Sequence, residues 1–314
     1  MDFVARLVEL SPRQLGNERK AARVIEHMLT ERGIKFHEQL FTIQFPKWTA
    51  SRVVADGKRI PSRPSGLVSG TIKGVDSLIS SLTGSQAFLT RANINFNPQS
   101  KELSSPSHYF SPSVSVRASD VARLLGARSV RASVHVRKVR HTIPNILVGN
   151  RTRPDTILFA HYDSIETGAT DNASGVATLM AIAVDHRDML ERNLLVFSAC
   201  EELSFEQPIY WGYGFRAFEK AHKKLMDEAN HLLIVDCVGN DVPHASSDPD
   251  LLEDGFPVRN FKKYKRKMKA VYGSIDKLMA VYHSRTDSIN RLSCAHMDQS
   301  VAFVCRLIAK YQRK

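Results

Sequence analysis

The stretch Leu194–Leu203 reads LLVFSACEEL, in which an apolar run of strand character ends in two adjacent glutamates, Glu201 and Glu202. Three further segments follow the same plan. They are TILFAHYDS with His161 and Asp163, HLLIVDCVG with Asp236, and KLMAVYHSRTD with His283 and Asp287. A solvated loop would not select only His, Asp and Glu four times, so we expect these ends to converge.

The order of apolar runs from Arg140 onward predicts an α/β fold. The runs NILVG, TILFA, NLLVFSA and HLLIVDC alternate with the helical stretches ASGVATLMAIAVDH and GFRAFEKAHKKLM. Such alternation predicts crossover units and a largely parallel sheet with helices on both faces. The closing AHMDQSVAFVCRLIAKYQ predicts a helix that buries one face. Sites in such folds form beyond the carboxyl ends of the strands.

The first third of the chain changes character at about Pro46. Before it, GNERKAARVIEHMLTERG predicts a helix with Asn17 as N-cap and Gly33 as stop, followed by the strand-like IKFHEQLFTI. After it, short β-branched stretches broken by Pro, Gly and Ser predict a β-rich insertion with one short helix near SDVARLLGA. We therefore predict a discontinuous main domain over 1–45 and 130–314 and an inserted domain over 46–129.

Composition is typical of a globular protein, with 43% hydrophobic and 24% charged residues in 314. No segment resembles a membrane span, and MDFVARLVELSPRQ lacks the apolar stretch of a secretory signal, so we predict a cytoplasmic protein with no membrane partner. The net charge is +12, and residues 47–140 hold 15 Lys plus Arg against 4 Asp plus Glu. This raises the hypothesis of a nucleic-acid partner, which the lack of interleaved aromatic residues makes unlikely.

The four cysteines, Cys200, Cys237, Cys294 and Cys305, show no CxxC spacing, which indicates neither a zinc knuckle nor a disulfide scaffold. We predict buried free thiols. Two of them, Cys200 and Cys237, flank the acidic strand ends, and strand alternation would point each away from its acidic neighbour.

Six side chains are candidates for the chemistry: His161, Asp171, Glu201, Glu202, Asp236 and His283. Taken alone, Asp171 could be no more than an N-cap before the small-residue helix start. Mixed nitrogen and oxygen ligands suit zinc or a similar divalent ion, and six groups exceed what one catalytic zinc with three protein ligands uses. Two metals that share a bridging carboxylate would use five, and the sixth could act as a base.

Five motifs in a fixed order carry a family resemblance. They are HYD at 161–163, DNASG at 171–175, EE at 201 and 202, DCVG at 236–239 and YHSRTDSI at 282–289. With the early helix, they resemble the co-catalytic di-zinc exopeptidases that include bacterial leucyl aminopeptidase, aminopeptidase Y and glutamate carboxypeptidase II. The resemblance covers roughly residues 10–45 and 140–314. It implies a three-layer α/β/α sandwich with a mostly parallel mixed sheet.

The resemblance also implies a role for each candidate and two zinc ions per chain. Asp171 would bridge both metals, with His161 and Asp236 completing one site and Glu202 and His283 the other. Glu201 would be the general base for a hydroxide between the metals that hydrolyses N-terminal residues from peptides. Asp163 would orient the His161 imidazole. By the same resemblance we expect a cis peptide bond between Asp171 and Asn172.

The insertion resembles, more weakly, a protease-associated domain. Substrate-pocket residues are left open, with Tyr272, Ser274 and Arg285 as candidates. The motifs HYD, DNASG, CEEL and DCVG contain no cation for a terminal carboxylate, which favours an aminopeptidase. Arg285 keeps a carboxypeptidase open, and a glutaminyl-cyclase-like enzyme is another alternative within the family. The preferred N-terminal residue and the oligomeric state are undetermined by the sequence.

Overall fold

The structure is a computed structural model that describes residues 1–75, 78–81 and 91–312. Its strands are β1 (Phe36–Ala55), β2 (Lys58–Ile60), β3 (Ser62–Pro64), β4 (Gly70–Lys73), β5 (Leu78–Ser80), β6 (Asn93–Phe96), β7 (Ser113–Val116), β8 (Val130–Gly149), β9 (Thr156–His161), β10 (Asn193–Ser198), β11 (His231–Val235), β12 (His244–Ser246) and β13 (Met268–Tyr272). Its α-helices are α1 (Asp2–Val8), α2 (Gly16–Glu31), α3 (Val121–Leu125), α4 (Ser174–Asp185), α5 (Tyr213–Ala221), α6 (Lys223–Glu228), α7 (Pro249–Gly255), α8 (Phe261–Tyr264), α9 (Ile275–Met279) and α10 (Cys294–Gln312).

A mixed sheet forms the centre of the fold. Within the described ranges its strands follow the order β12-β13-β11-β9-β10-β8-β1-β2, and β4 pairs with β8. The four central strands, β13, β11, β9 and β10, are parallel, whereas the strands at both edges are antiparallel. The predicted α/β fold class is confirmed. The parallel centre brings the carboxyl ends of β9, β10 and β11 to one edge, side by side.

Helices cover both faces of this sheet, which explains why its strands read as continuous apolar runs. On β9, Leu158 and Ala160 belong to the core that includes α2, α4 and α10. The alternate residues Ile157 and Phe159 belong to the core that includes α5, α6 and α7. All four are at most 1% exposed, so the side-chain alternation of the strand serves two cores at once.

The inserted segment is built on extensions of the main sheet. Strands β1 and β8 pair antiparallel from Phe36 to Ala55, and their far ends carry Val53 and Val134. These residues pack with Ile94 and Val114 from a four-stranded sheet in the order β3-β7-β6-β5, as counted among the described residues. The domain boundaries stay a prediction, and the one at residue 46 falls within β1. Residues 82–90 of the predicted insertion lie outside the described residues.

Several local predictions change. Helix α2 begins at Gly16 with Leu15 as N-cap, so the N-cap prediction for Asn17 is wrong; the Asn17 amide instead donates to the Pro12 carbonyl. Gly33 does follow the helix with φ 64°, the left-handed conformation that glycine favours. The stretch GFRAFEKAHKKLM forms two helices, α5 and α6, because the chain leaves helical geometry at His222.

The fourth apolar run, KLMAVYHSRTD, is not a strand. Its first part completes α9 and the rest forms turns, so His283 enters the site from a loop, with φ 49°. The strand that pairs with β11 on the side away from β9 is β13, which the sequence analysis did not identify. It begins at Met268, within the basic run FKKYKRKMK at residues 261–269. In the described part of the chain, no helix is long and apolar enough to cross a membrane.

One buried arginine ties the N-terminal segment to the loops that follow β9. Arg13 has no exposed surface. Its guanidinium donates to the carbonyls of Tyr162 at 2.7 Å, Thr167 at 3.0 Å and Gly168 at 2.8 Å. Burial lowers the pKa of Arg13 to about 10, against the opposing effect of Asp163 and other carboxylates, so the group is charged at neutral pH. It fixes the segments that carry Asp163 and Asp171.

We predict that Arg13→Met lowers the free energy of unfolding by about 3 kcal/mol, because the carbonyls of Tyr162, Thr167 and Gly168 each lose a bond to a buried charged donor. Chemical denaturation of the metal-free protein measures this. Arg187→Met is the matched control, since Arg187 also donates to two backbone carbonyls but is exposed, and water can replace it. The control should change stability by less than about 1 kcal/mol. Equal losses in the two variants would contradict the assignment.

Candidate active site

All six candidate side chains border one cavity of about 190 Å³. His161 is the last residue of β9, and Asp236 directly follows β11. Glu201 and Glu202 come three and four residues after β10. Because β9 lies between β10 and β11, these residues meet at the carboxyl edge of the sheet. The predicted convergence is therefore observed, with His283 reaching the cavity from its loop.

The carboxylate of Asp171 lies between the two imidazoles. Its Oδ1 is 3.1 Å from Nε2 of His161, and its Oδ2 is 3.5 Å from Nε2 of His283. His161 Nε2 is also 3.6 Å from Asp236 Oδ1, and His283 Nε2 is 2.9 Å from Glu202 Oε2. The five residues thus form two groups, each with one imidazole and one further carboxylate, joined by Asp171.

Buried charge dominates the electrostatics of these groups. Burial alone would lower the pKa of His161, but Asp236, Asp163 and Asp171 raise it well above its ordinary value. Burial likewise acts against His283, yet Glu202 and Asp171 raise its pKa to about 10.

The pKa values of two carboxylates of the cluster shift in opposite directions. Burial raises the pKa of Glu202 to about 7, with His283 opposing it. For Asp171 burial acts in the same direction, but hydrogen bonds from both imidazoles win and depress its pKa. The net shift therefore depends on how many imidazoles each carboxylate contacts.

The donor set fits divalent metal ions. Two imidazole nitrogens and four carboxylates are the ligand types that zinc takes in proteins. His283 Nε2 faces the carboxylates of Glu202 and Asp171, and Glu202 Oε1 is buried without a hydrogen-bond partner. Ligand atoms of His161, Asp171 and Glu202 lie within 4.8 Å of one another, as do those of Asp171, Asp236 and Cys237. Asp171 belongs to both groups.

Two buried carboxylates hold the chain at the paired glutamates. Asp163 accepts from the backbone N–H groups of Glu201 at 3.0 Å and Glu202 at 2.9 Å. Glu18 accepts from the N–H of Cys200 at 2.7 Å and from His141 Nε2 at 2.6 Å. Cys200 has φ 50°, so three successive N–H groups turn toward carboxylates just beyond the strand. This turn directs Glu201 and Glu202 into the cavity.

The contact from Asp163 to His161 is weaker than predicted. Asp163 Oδ1 lies 3.5 Å from His161 Nδ1, beyond the usual 2.7–3.2 Å of an N–H···O hydrogen bond, and Nδ1 has no hydrogen-bond partner. The firm contacts of Asp163 are those to the glutamate backbone. Its role in orienting the imidazole stays a prediction.

Glu201 differs from Glu202 in its surroundings. It borders the cavity and is 8% exposed. Burial raises the pKa of Glu201 well above its ordinary value, and the carboxylates of Glu202, Asp163 and Asp236 add to the effect, against an opposing contribution from His161. A carboxyl group with a raised pKa beside the cavity can act as a general acid and base.

The asparagine and the glycine of the DNASG motif pack the start of α4 against β11. The Asn172 amide donates to the Val235 carbonyl at 3.0 Å, and its oxygen accepts from Gly175 N–H at 2.9 Å. A Cβ on Gly175 would lie 2.4 Å from the Val235 carbonyl oxygen, so only glycine fits this approach of α4 to β11. The peptide bond between Asp171 and Asn172 is cis, as predicted.

Sequence reasoning missed Asp287 as a contact of Asp171. The Asp287 carboxylate accepts from the backbone N–H groups of Thr170 at 3.0 Å and Asp171 at 3.1 Å. Asp287 lies four residues after His283 in the motif YHSRTDSI, and this short spacing was the signal in the sequence that Asp287 lies near the site. The loop thus contributes one ligand candidate and one support for the central carboxylate.

The predicted substrate residues have different positions. Tyr272 lines the cavity. Ser274 instead caps α9 by accepting from Lys277 N–H, and it is not among the cavity residues. Arg285 is also outside the cavity, and its exposed side chain lies 3.6 Å from Glu166.

The thiol of Cys237 contradicts the alternation argument, because its Sγ is 3.1 Å from Asp236 Oδ1. The strand has ended at Val235, so alternation no longer applies.

Apolar and aromatic side chains form the rest of the cavity wall, and sequence reasoning did not single them out. They come from loops and short helices with no shared pattern. The wall includes Tyr210, Trp211, Leu251, Phe256, Ile275, Leu278, Met279 and Tyr282. Tyr282 stacks on His283 with ring centroids 3.7 Å apart. The cavity therefore joins an anionic cluster to an apolar pocket.

Comparison with known proteins identifies a family for one segment of the chain. Residues 145–248 match the model of Peptidase family M28, and they contain every quoted motif except YHSRTDSI. No curated protein matches the chain. The match confirms the predicted resemblance to the zinc exopeptidases and the prediction of a metal-dependent peptidase as the enzyme class.

Solved structures share the fold at low identity. A zinc aminopeptidase from Bacillus subtilis is 16% identical, with a TM-score of 0.67 over 96% of this chain and 92% of that chain. An aminopeptidase from Aneurinibacillus sp. strain AM-1 is 16% identical, with a TM-score of 0.62 over 96% and 92%. A glutaminyl cyclase from Porphyromonas gingivalis is 15% identical, with a TM-score of 0.54 over 98% and 96%. These likenesses establish the fold.

Proposed function

We propose that this protein is a di-zinc aminopeptidase that removes residues one at a time from the N-terminus of peptides. The observation that carries the proposal is the position of Asp171, whose two carboxylate oxygens face different imidazoles, those of His161 and His283. One zinc ion would be held by Asp171, His161 and Asp236. The other would be held by Asp171, Glu202 and His283.

The residues of the cavity then have separate tasks. Two bound zinc ions would supply an acidified water and a Lewis acid for the peptide carbonyl. Glu201 accepts a proton from the attacking water and returns it to the leaving amine, which its raised pKa supports. Asp163 and Glu18 keep Glu201 and Glu202 in their different orientations through the backbone N–H groups.

The charge of the cavity supports the N-terminus as the end that is cut. A carboxypeptidase needs a cation aimed at the terminal carboxylate of its substrate. Among the described residues that line this cavity, none is Lys or Arg, and the lining includes the carboxyl group of Asp254 in addition to the acidic cluster. Arg285, the residue that kept a carboxypeptidase open, is not among the lining residues. The cavity therefore suits the terminal ammonium group of a peptide better than its terminal carboxylate.

A glutaminyl-cyclase-like reaction is the second candidate, because a cyclase from Porphyromonas gingivalis shares the fold. Both reactions need a free N-terminal amine, so the products must decide between them. A peptide with N-terminal glutamine would lose that residue to a peptidase. A cyclase would instead retain it and release ammonia.

One wider assignment remains a proposal. We propose that the inserted segment is a protease-associated domain, on the basis of its β-rich core of β3, β5, β6 and β7 packed on β1 and β8. A basic nucleic-acid-binding function has no support from the cavity.

We predict that Asp171→Ala abolishes binding at both metal sites, whereas His283→Ala weakens one, because only Asp171 faces both imidazoles. Elemental analysis and zinc titration of the chelator-treated protein measure this. Asp185→Ala, which changes an exposed aspartate at the end of α4, is the control and should retain two ions. A wild-type protein that binds a single ion at saturating zinc would disprove the two-metal proposal.

The two glutamates should separate in a second experiment. Glu201→Gln should retain both ions and lower kcat by about 10²-fold to 10⁴-fold, the usual contribution of a positioned acid-base group. Glu202→Gln should lose metal, since it supplies a ligand. Metal content and steady-state kinetics are measured on the same preparations. An emptied site in Glu201→Gln would mean that the two roles are reversed or shared.

The direction of cleavage is tested with one peptide in three forms. We predict that the free peptide is shortened from its N-terminus, that N-acetylation abolishes cleavage by removing the amine, and that C-terminal amidation changes the rate little. Mass spectrometry of the products measures each outcome. Residues lost from the C-terminus, or cleavage that ignores acetylation, would overturn the aminopeptidase assignment and leave a metal-dependent hydrolase.

A further inference from the structure

We propose that the inserted segment positions His283 for metal binding, so that one metal site depends on the insertion and the other does not. The inference rests on the proposed role of His283 as a metal ligand. It concerns the insertion loop, defined as residues 97–106 between β6 and β7. Nothing in the family match covers this loop, since the match begins at residue 145.

The first contact fixes the imidazole itself. His283 Nδ1 lies 2.9 Å from the backbone carbonyl oxygen of Ser105. A carbonyl oxygen can only accept, so Nδ1 carries a hydrogen, and Nε2 is the ring nitrogen that faces the cavity and can bind a metal once it has lost its proton. Partners of this kind set the tautomer and orientation of a metal-binding imidazole. Here the partner belongs to the insertion, 178 residues earlier in the chain.

Two side chains of the insertion loop attach it to the segment that carries His283. Ser104 Oγ donates to the Tyr282 carbonyl at 2.6 Å. The Asn97 amide donates to the Met279 carbonyl at 3.2 Å and to Ser104 Oγ at 3.1 Å. Asn97 and Ser104 are at most 1% exposed, so water cannot replace these bonds. The insertion loop and residues 279–283 therefore form one hydrogen-bonded unit.

The loop of His283 needs this support because it lies outside regular structure. His283 follows the five-residue helix α9 through turns. By contrast, His161 ends β9, which has a parallel strand on each side. Loss of the insertion contacts should therefore loosen His283 and leave His161 in place. The proposed site of His283 therefore depends on a loop and on the insertion, whereas that of His161 depends on the central sheet.

The test uses two substitutions in the insertion loop with a matched control for each. Asn97→Asp keeps the size of the side chain but removes the donor to Met279, and Ser104→Ala removes the donor to Tyr282. The controls are Asn95→Asp and Ser115→Ala, which alter equally buried groups. Ser115 Oγ donates to Asn95 Oδ1, and the Asn95 amide donates to Ser65 and Asn93, all within the insertion.

Zinc titration against a competing chelator gives the first readout. We expect Asn97→Asp and Ser104→Ala to weaken one of the two zinc affinities by about tenfold or more, the usual effect of removing support behind a metal ligand. The other affinity should stay unchanged. Both control variants should keep both affinities within about twofold. His283→Ala identifies which affinity belongs to the His283 site.

Cobalt substitution gives a readout that a change in overall stability would not move. In the Co²⁺-loaded wild-type protein, the Nδ1–H of His283 should appear as a shifted proton resonance that is absent in His283→Ala. It should exchange slowly with solvent, because Ser105 accepts it in a buried site. In Ser104→Ala the same resonance should exchange faster. Its exchange should be unchanged in Ser115→Ala.

The outcomes separate the inference from the proposed function. If the wild-type protein binds two ions and the insertion-loop variants bind both with unchanged affinity, the inference is overturned and the two-metal proposal stands. Equal losses in the Asn95 or Ser115 variants would also overturn it, since the effect would come from the insertion as a whole. If the wild-type protein binds one ion at saturating zinc, the two-metal proposal is wrong, and the inference is overturned with it because it requires two distinct sites.

Discussion

The carboxylate of Asp171, placed between two buried imidazoles, is the constraint on which the rest of the site depends. Burying this charge is costly, and the hydrogen bonds and charges of His161 and His283 offset the cost. Its backbone is fixed by Asp287, which accepts from the N–H groups of Thr170 and Asp171. Around it the protein gathers buried carboxylates that would repel one another without cations. The fold stabilises a concentration of negative charge, and a pair of divalent ions would balance it.

Backbone N–H groups also stabilise buried carboxylates near the site. Asp163 and Glu18 each accept from the turn that carries the paired glutamates, so the turn Cys200–Glu202 is held by carboxylates whose own charge lies outside the proposed ligand set. Burial raises the pKa of Glu18, while the hydrogen bond from His141 lowers it. Each donor of the turn thus has an acceptor, which leaves the Glu201 and Glu202 side chains free to face the cavity. The separation of a ligand from a base in two adjacent residues follows from this arrangement.

The sequence predicted the fold class and the members of the cluster because both depend on local patterns. Continuous apolar runs marked strands buried on two faces, and His, Asp or Glu at their ends marked one sheet edge. It could not identify contacts that join distant parts of the chain without a local signal, such as Arg13 to Gly168 or Ser105 to His283. The Cys237 prediction was wrong because strand alternation was applied two residues beyond the end of the strand at Val235. The path of the loop before His283 depends on such distant contacts, so its apolar run was misread as a strand.

We propose that Asp171 bridges two metal ions, and crystals of the zinc-loaded protein, with diffraction data collected on both sides of the zinc absorption edge, test this proposal. We expect two anomalous peaks roughly 3.5–4 Å apart, one beside His161 and Asp236 and the other beside His283 and Glu202, with an oxygen of Asp171 near each. A single peak, or a peak at the separate Glu18, His141 and Cys200 cluster with none at Asp171, would contradict it.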